Sequence, residues 1–103
     1  MIDKTKIIDT VVERLKNLPI NHYLDLRTYK RNRSVVIVKK DAASLLVIQN
    51  GYEFKRYEIN TEKLKKLLKT LLKKEFPRSN KIRLYTMGEF VESEALGVKR
   101  KIL

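Results

Sequence analysis

Two segments of the chain carry apolar residues at helical spacing, and a proline follows each of them. In the first, Asp3–Leu18, Ile, Val and Leu recur every three or four positions, and Asp3 or Thr5 can cap the start. In the second, Thr61–Phe76, a stripe of leucines is surrounded by lysines, and Asn60 precedes it as a capping residue. These patterns predict two amphipathic helices, each with one apolar face to bury.

Five further segments show the composition and alternation of β-strands. They are Tyr23–Lys30, Ser34–Lys39, Ser44–Gln49, Tyr52–Ile59 and Lys81–Tyr85. Asn50-Gly51 joins the third and fourth, which indicates a hairpin with a two-residue type I′ turn. Such short connections favour an antiparallel meander. The order α-β-β-β-β-α-β therefore predicts an α+β fold, a mainly antiparallel four- to five-stranded sheet with two helices packed on one face.

The chain has 103 residues, the size of one domain, and contains no Cys. We expect a single domain over residues 1–103, with 86–103 as a flexible or interface-forming tail. Disulfides and thiolate metal sites are excluded, and nothing indicates an oxidising compartment. No stretch approaches the ~20 apolar residues of a membrane span. These features favour a cytoplasmic protein with no membrane partner.

The balance of charge is strongly basic, because 24 Lys and Arg face only 12 Asp and Glu, a net charge of +12. Self-repulsion at this charge opposes folding, so a polyanionic partner is the simplest explanation for it. Nucleic acid is the usual polyanion. An anionic membrane surface and a device for solubility are the alternatives.

Strand alternation collects aromatic and cationic residues on the sheet face that the helices leave uncovered. The candidate stacking residues are Tyr23, Tyr29, Tyr52, Phe54 and Tyr85, and the candidate phosphate contacts are Arg27, Lys30, Arg31, Arg33, Arg56, Lys81 and Arg83. Unpaired bases stack on aromatic rings for ~1–3 kcal/mol each, while cations follow the phosphates. The pattern predicts a non-enzymatic binder of single-stranded nucleic acid, DNA more than RNA, with little sequence specificity.

Each of these rings also has a purely structural interpretation, since strand aromatics commonly pack in cores. The two middle strands complicate the picture, because Val35–Val38 and Leu45–Ile48 are apolar at every position and hence on both faces. The second face must be covered or must carry an apolar patch, which marks an interface. A homodimeric interaction or assembly protein is therefore an alternative hypothesis.

The sequence offers little for catalysis, because His22 is the only histidine and no Gly-rich phosphate loop is present. We expect no catalytic residues, no metal and no cofactor. One alternative is a metal-dependent nuclease of restriction-like type. In it Asp41 and Glu53 would hold a divalent metal and Lys55 would assist, since their spacing around an apolar strand matches that motif.

The segment Lys73–Tyr85 follows the leucine-rich basic helix and contains Phe76-Pro77-Arg78-Ser79 before a strand. This third of the chain, taken with its helix, resembles the ThermoDBP-type single-stranded-DNA-binding proteins of archaea and their shorter relatives. The resemblance implies a sheet packed with helices and a basic cleft with an apolar floor. It also implies oligomerisation and binding of single-stranded DNA without regard to sequence.

Overall fold

Six strands form one antiparallel sheet in the computed structural model, which describes residues 2–27, 33–51, 54–76 and 81–91. The strands are β1 (Ile2–Asp3), β2 (His22–Arg27), β3 (Ser34–Lys39), β4 (Ser44–Asn50), β5 (Phe54–Asn60) and β6 (Lys81–Glu89), and their order across the sheet is β1-β6-β2-β3-β4-β5. The helices are α1 (Ile7–Lys16) and α2 (Leu64–Glu75), the second preceded by a 3-10 turn at Thr61–Lys63. The α+β class, the antiparallel sheet and the two helices are confirmed.

The sheet has one strand more than predicted, because β1 occupies the start of the segment expected to be helical. Ile2 and Asp3 pair with Ile82 and Lys81 of β6. The Asp3 carboxylate then accepts hydrogen bonds from the amide and hydroxyl of Thr5, at 3.0 and 2.9 Å, in a turn that delays the helix to Ile7. The partner of β1 lies some 80 residues away along the chain, so no local pattern indicates the strand.

Two other boundaries differ from the predictions. The hairpin between β4 and β5 is confirmed, but Asn50 pairs with Phe54 and three residues separate them, so the predicted two-residue turn is wrong. A Cβ on Gly51 would clash with the Glu75 carboxylate and approach Arg33 to 3.0 Å, so close packing accounts for this glycine.

The last strand is also longer than predicted, because residues 86–89 of the expected tail belong to β6.

Both helices pack on one face of the sheet, as predicted, and bury the main core there. The leucine stripe of α2 is buried or half-buried throughout, from Leu64 to Leu72. It meets Leu26 of β2 and Ile37 of β3, and Asn60 caps the preceding turn by accepting a hydrogen bond from the amide of Lys63 at 3.3 Å. Neither helix in the described part of the chain has the length and apolar character needed to cross a membrane.

A second apolar cluster lies on the opposite face of the same strands. Its buried members are Tyr23, Val36, Val38, Leu46 and Ile48, and Phe90 packs against them. Val36, Val38 and Ile48 have no exposed surface. The middle strands are therefore buried on both faces, so their apolar residues on the second face do not form an exposed patch.

A buried polar network joins α2 to the start of β3 and to the β4–β5 hairpin. The fully buried Glu75 carboxylate accepts a hydrogen bond from the side-chain amide of Gln49 at 2.6 Å, and the Tyr57 hydroxyl donates to the Gln49 carbonyl at 3.0 Å. The guanidinium of Arg33 lies 3.9 Å from the same carboxylate and donates to the Glu75 backbone carbonyl at 3.2 Å. This network holds the end of the sheet at which three connections meet.

We expect Glu75→Ala to lower the free energy of unfolding by about 2–4 kcal/mol, because it removes the buried acceptor of the Gln49 side-chain amide and the carboxylate beside Arg33. Urea unfolding followed by circular dichroism measures this loss. Glu13→Ala is the matched control, since Glu13 is exposed and meets only Lys16, at 3.9 Å, so its loss should cost under about 0.5 kcal/mol. Equal losses in the two variants would show that the network contributes nothing to stability.

Candidate nucleic-acid interface

We call the sheet face opposite α1 and α2 the outer face, and strand pairing arranges its residues in rows that run across the strands. The row nearest the connections that follow β2, β4 and α2 is termed the loop-end row, and its members are Arg83, Arg27, Ser34, Asn50 and Phe54. The middle row contains Tyr85, Asp25, Val36, Ile48 and Arg56, and the far row contains Tyr23, Val38, Leu46 and Glu58. Polar and cationic groups thus concentrate toward one end of the face.

The loop-end row places like charges directly opposite one another. Arg27 of β2 pairs in register with Arg83 of β6, and like charges directly opposite each other on neighbouring strands are unfavourable. At the other side of the row, Phe54 has 57% of its surface exposed. Four strand spacings of ~4.8 Å separate β6 from β5 and three separate β2 from β5, so Arg83 and Arg27 lie about 19 and 14 Å from the ring.

The five predicted stacking residues have different environments. Phe54 is exposed and Tyr85 is half-buried. Tyr23 is on the outer face as predicted but only 6% exposed, and Phe90 meets its ring edge-to-face with centroids 5.4 Å apart. A base could therefore stack on Tyr23 only if its neighbours moved. Tyr29 and Tyr52 lie outside the described residues.

The predicted phosphate contacts are also divided. Arg27, Arg56 and Arg83 lie on the outer face, and Lys81 lies beyond Arg83 on β6, where its ammonium is 3.8 Å from the Asp3 carboxylate. Arg33 is bound to Glu75 in the network described above, which gives it a structural contact. Lys30 and Arg31 lie outside the described residues.

Asp25 stands in the middle of this cationic region and is 2% exposed. Its Oδ2 accepts a hydrogen bond from Nε of Arg27 at 2.9 Å, while its Oδ1 is buried and has no hydrogen-bond partner. Burial raises the pKa of the Asp25 carboxyl, and the charge and hydrogen bond of Arg27 oppose that rise. Alternation along β2 assigns Asp25 to the outer face, but no local pattern indicates its burial or the packing of Phe90.

The nuclease alternative requires Asp41 and Lys55 to approach one metal. Asp41 instead precedes β4, and its Oδ1 accepts hydrogen bonds from the amides of Ala43 and Ser44, both at 2.8 Å, which lower its pKa. Lys55 pairs with Gln49 at the other end of β4, about 17 Å along the strand from Ser44. These two residues do not share a site, and Glu53 lies outside the described residues. No cluster of three metal-ligand side chains occurs among the residues that the structure describes.

Tyr23 and Phe54 should respond differently to truncation. We expect Tyr23→Ala to lower the free energy of unfolding by about 3 kcal/mol, because it empties a buried position beside Phe90. Phe54→Ala should change it by less than about 1 kcal/mol, because that ring is mostly exposed. Urea denaturation compares the two variants, and a large loss in Phe54→Ala would assign its ring to the core.

The pH dependence of stability should carry the signature of Asp25. Its raised pKa means that the ionised carboxylate destabilises the folded state, and this penalty disappears as pH falls through the folded pKa toward the ordinary value of 3.8. The free energy of unfolding of the wild-type protein, relative to that of Asp25→Asn, should therefore rise as the pH is lowered from 7 to 4. Thermal unfolding of both proteins across this range measures the difference. If the relative stability of the wild-type protein instead decreased as the pH was lowered, the pKa of Asp25 would be lowered rather than raised.

Comparison with known proteins adds no match: no family model, no curated protein and no solved structure matches the chain. The resemblance to ThermoDBP-type proteins stays a prediction, and residues 77–80 of that segment lie outside the described residues. Any proposal for function depends on the geometry of this chain's own residues.

Proposed function

We propose that this protein is a non-enzymatic binder of single-stranded nucleic acid, DNA more than RNA, and that it binds the strand across the loop-end row of its outer face. Cations at one side of the row contact phosphates, and Phe54 at the other side stacks on a base. Lys30 and Arg31 lie outside the described residues and stay predicted phosphate contacts.

The observation that carries this proposal is the direct opposition of Arg27 and Arg83 on neighbouring strands. Like charges directly opposite each other on neighbouring strands are unfavourable, and a phosphate beside the pair would accept charge-assisted hydrogen bonds in addition to the contact that Arg27 makes with Asp25. Arg27 keeps its orientation through the bond to Asp25. The net charge of +12 supplies the long-range attraction that brings a polyanion to this surface.

The exposed ring of Phe54 favours a single strand over a duplex. A duplex hides the faces of its bases, so an exposed aromatic ring gains little from it, while an unpaired base can stack on the ring directly. Distances of about 14 and 19 Å from Phe54 to Arg27 and Arg83 can accommodate a short stretch of extended nucleic-acid strand. A flat basic surface without such a ring would prefer the denser charge of the duplex.

The test is fluorescence anisotropy with a labelled single-stranded oligonucleotide and its duplex at several salt concentrations. We expect tighter binding of the single strand, with affinity that falls as salt rises because phosphate contacts release counterions. Phe54→Ala should weaken binding by about 1 kcal/mol or more, and Arg83→Gln should reduce the salt slope by about 1.

Two matched controls separate the site from general surface properties. Lys69→Gln removes one charge from an exposed position of α2, and Ile20→Ala removes an exposed apolar side chain outside the outer face. Both should leave binding nearly unchanged. Duplex binding as tight as single-strand binding, together with equal losses in site and control variants, would indicate a nonspecific basic surface and refute the proposal.

A further inference from the structure

The unpaired Oδ1 of Asp25 is a group that phosphate binding does not use. A buried carboxylate oxygen without a hydrogen bond costs stability, and among the described residues this is the buried side-chain oxygen or nitrogen that lacks a partner. The other oxygen of the same carboxylate is held by Arg27 at 2.9 Å, so the group is fixed in place. A hydrogen-bond donor on a ligand could therefore bind this oxygen.

The surroundings of Asp25 limit what that donor can be. Asp25 lies in the middle row, directly opposite Tyr85 and one row inward from the paired Arg27 and Arg83. An ionised carboxylate repels phosphate, so the sugar-phosphate chain of a bound strand must follow the arginines, and a base must point toward Asp25. Asp25 is only 2% exposed, so the inference requires the half-buried side chain of Tyr85 to move aside before the edge of a base can reach Oδ1.

A carboxylate accepts hydrogen bonds and donates none when ionised, so it distinguishes bases by their donors. Cytosine offers an N4 amino group, a recognised partner of Asp, whereas uracil and thymine carry a carbonyl oxygen at the same position. Carbonyl and carboxylate oxygens repel each other, and burial strengthens that repulsion. The two pyrimidines are otherwise nearly alike in shape and stacking.

We propose that Asp25 is a specificity-determining residue, whose Oδ1 accepts a hydrogen bond from the exocyclic amino group of a base and so favours cytosine over uracil and thymine at one position of a bound strand. This inference rests on the proposed binding of single-stranded nucleic acid. It adds to that function a local preference for base type, where the charge and stacking contacts alone imply little sequence specificity.

The experiment compares labelled deoxycytidine and deoxyuridine oligonucleotides of equal length, and a third oligonucleotide of N4,N4-dimethyldeoxycytidine, at one salt concentration and neutral pH. We expect the wild-type protein to bind the cytidine strand about tenfold more tightly than the uridine strand. The dimethylated strand should lose this advantage, because it retains the ring but lacks the N–H donor.

Asp25→Asn and Glu58→Gln then separate recognition from charge. Both remove one negative charge from the outer face, since Glu58 is exposed in the far row, but only the first changes the oxygen in question. We expect Asp25→Asn to reduce the cytidine preference to less than twofold and Glu58→Gln to preserve it. Asn can also donate to the uridine carbonyl, which should reverse the preference in part.

The outcomes distinguish this inference from the function on which it rests. Equal, tight binding of all three oligonucleotides by the wild-type protein would overturn the role of Asp25 and leave single-strand binding intact. Absence of binding to every strand would overturn both. A cytidine preference that persists in Asp25→Asn would assign the selectivity to another residue. Equal binding of the cytidine and uridine strands by the wild-type protein overturns the inference whether or not that variant folds.

Discussion

The double burial of β3 and β4 is the constraint on which the rest of the structure depends. Both helices cover Val35 and Ile37 on one face, yet Val36 and Val38 on the other face are equally inaccessible. Burial of this kind stabilises a small sheet by roughly 25 cal/mol per Å² of apolar surface. It also covers the centre of the outer face, so the strand binding proposed above would use the loop-end row, with Asp25 at the β2–β6 side of the middle row as its innermost contact.

The same end of the sheet is the one that the Glu75 network holds in place. Arg33 binds both the carboxylate and the backbone carbonyl of Glu75, and Gly51 allows the β4–β5 hairpin to approach them. A binding surface built on connections gains precision when the ends of those connections are fixed by buried polar contacts. If the proposed function holds, stability and binding are coupled, because the Glu75 network lies at the same end of the sheet as the loop-end row.

Local sequence patterns were sufficient to predict the two helices and most of the strands, because these elements depend on residues that are close together in the chain. The leucine stripe of α2 and the alternation of β2 to β6 gave the elements and assigned Arg27, Phe54 and Arg83 to one face. What the sequence did not reveal depends on distant partners. The two-residue strand β1 forms by pairing with β6. Phe90, which follows β6, packs on the edge of the Tyr23 ring and contributes to its burial. Neither contact has a signal at short range.

Two unfavourable features coincide on adjacent rows of the outer face, and the ligand proposed above would relieve both. The opposed Arg27 and Arg83 carry an excess of positive charge, while Asp25 beside them carries an acceptor with no donor. A simple anion would neutralise the arginines but would repel the Asp25 carboxylate. A cation would bind the carboxylate but would repel the arginines. A nucleotide has a negative phosphate and, in cytosine, a donor amino group a few ångströms away on the same molecule. Natural sequences retain local conflicts of this kind chiefly at functional sites. A single strand with its bases turned inward would place a phosphate beside the two arginines and a hydrogen-bond donor beside Asp25.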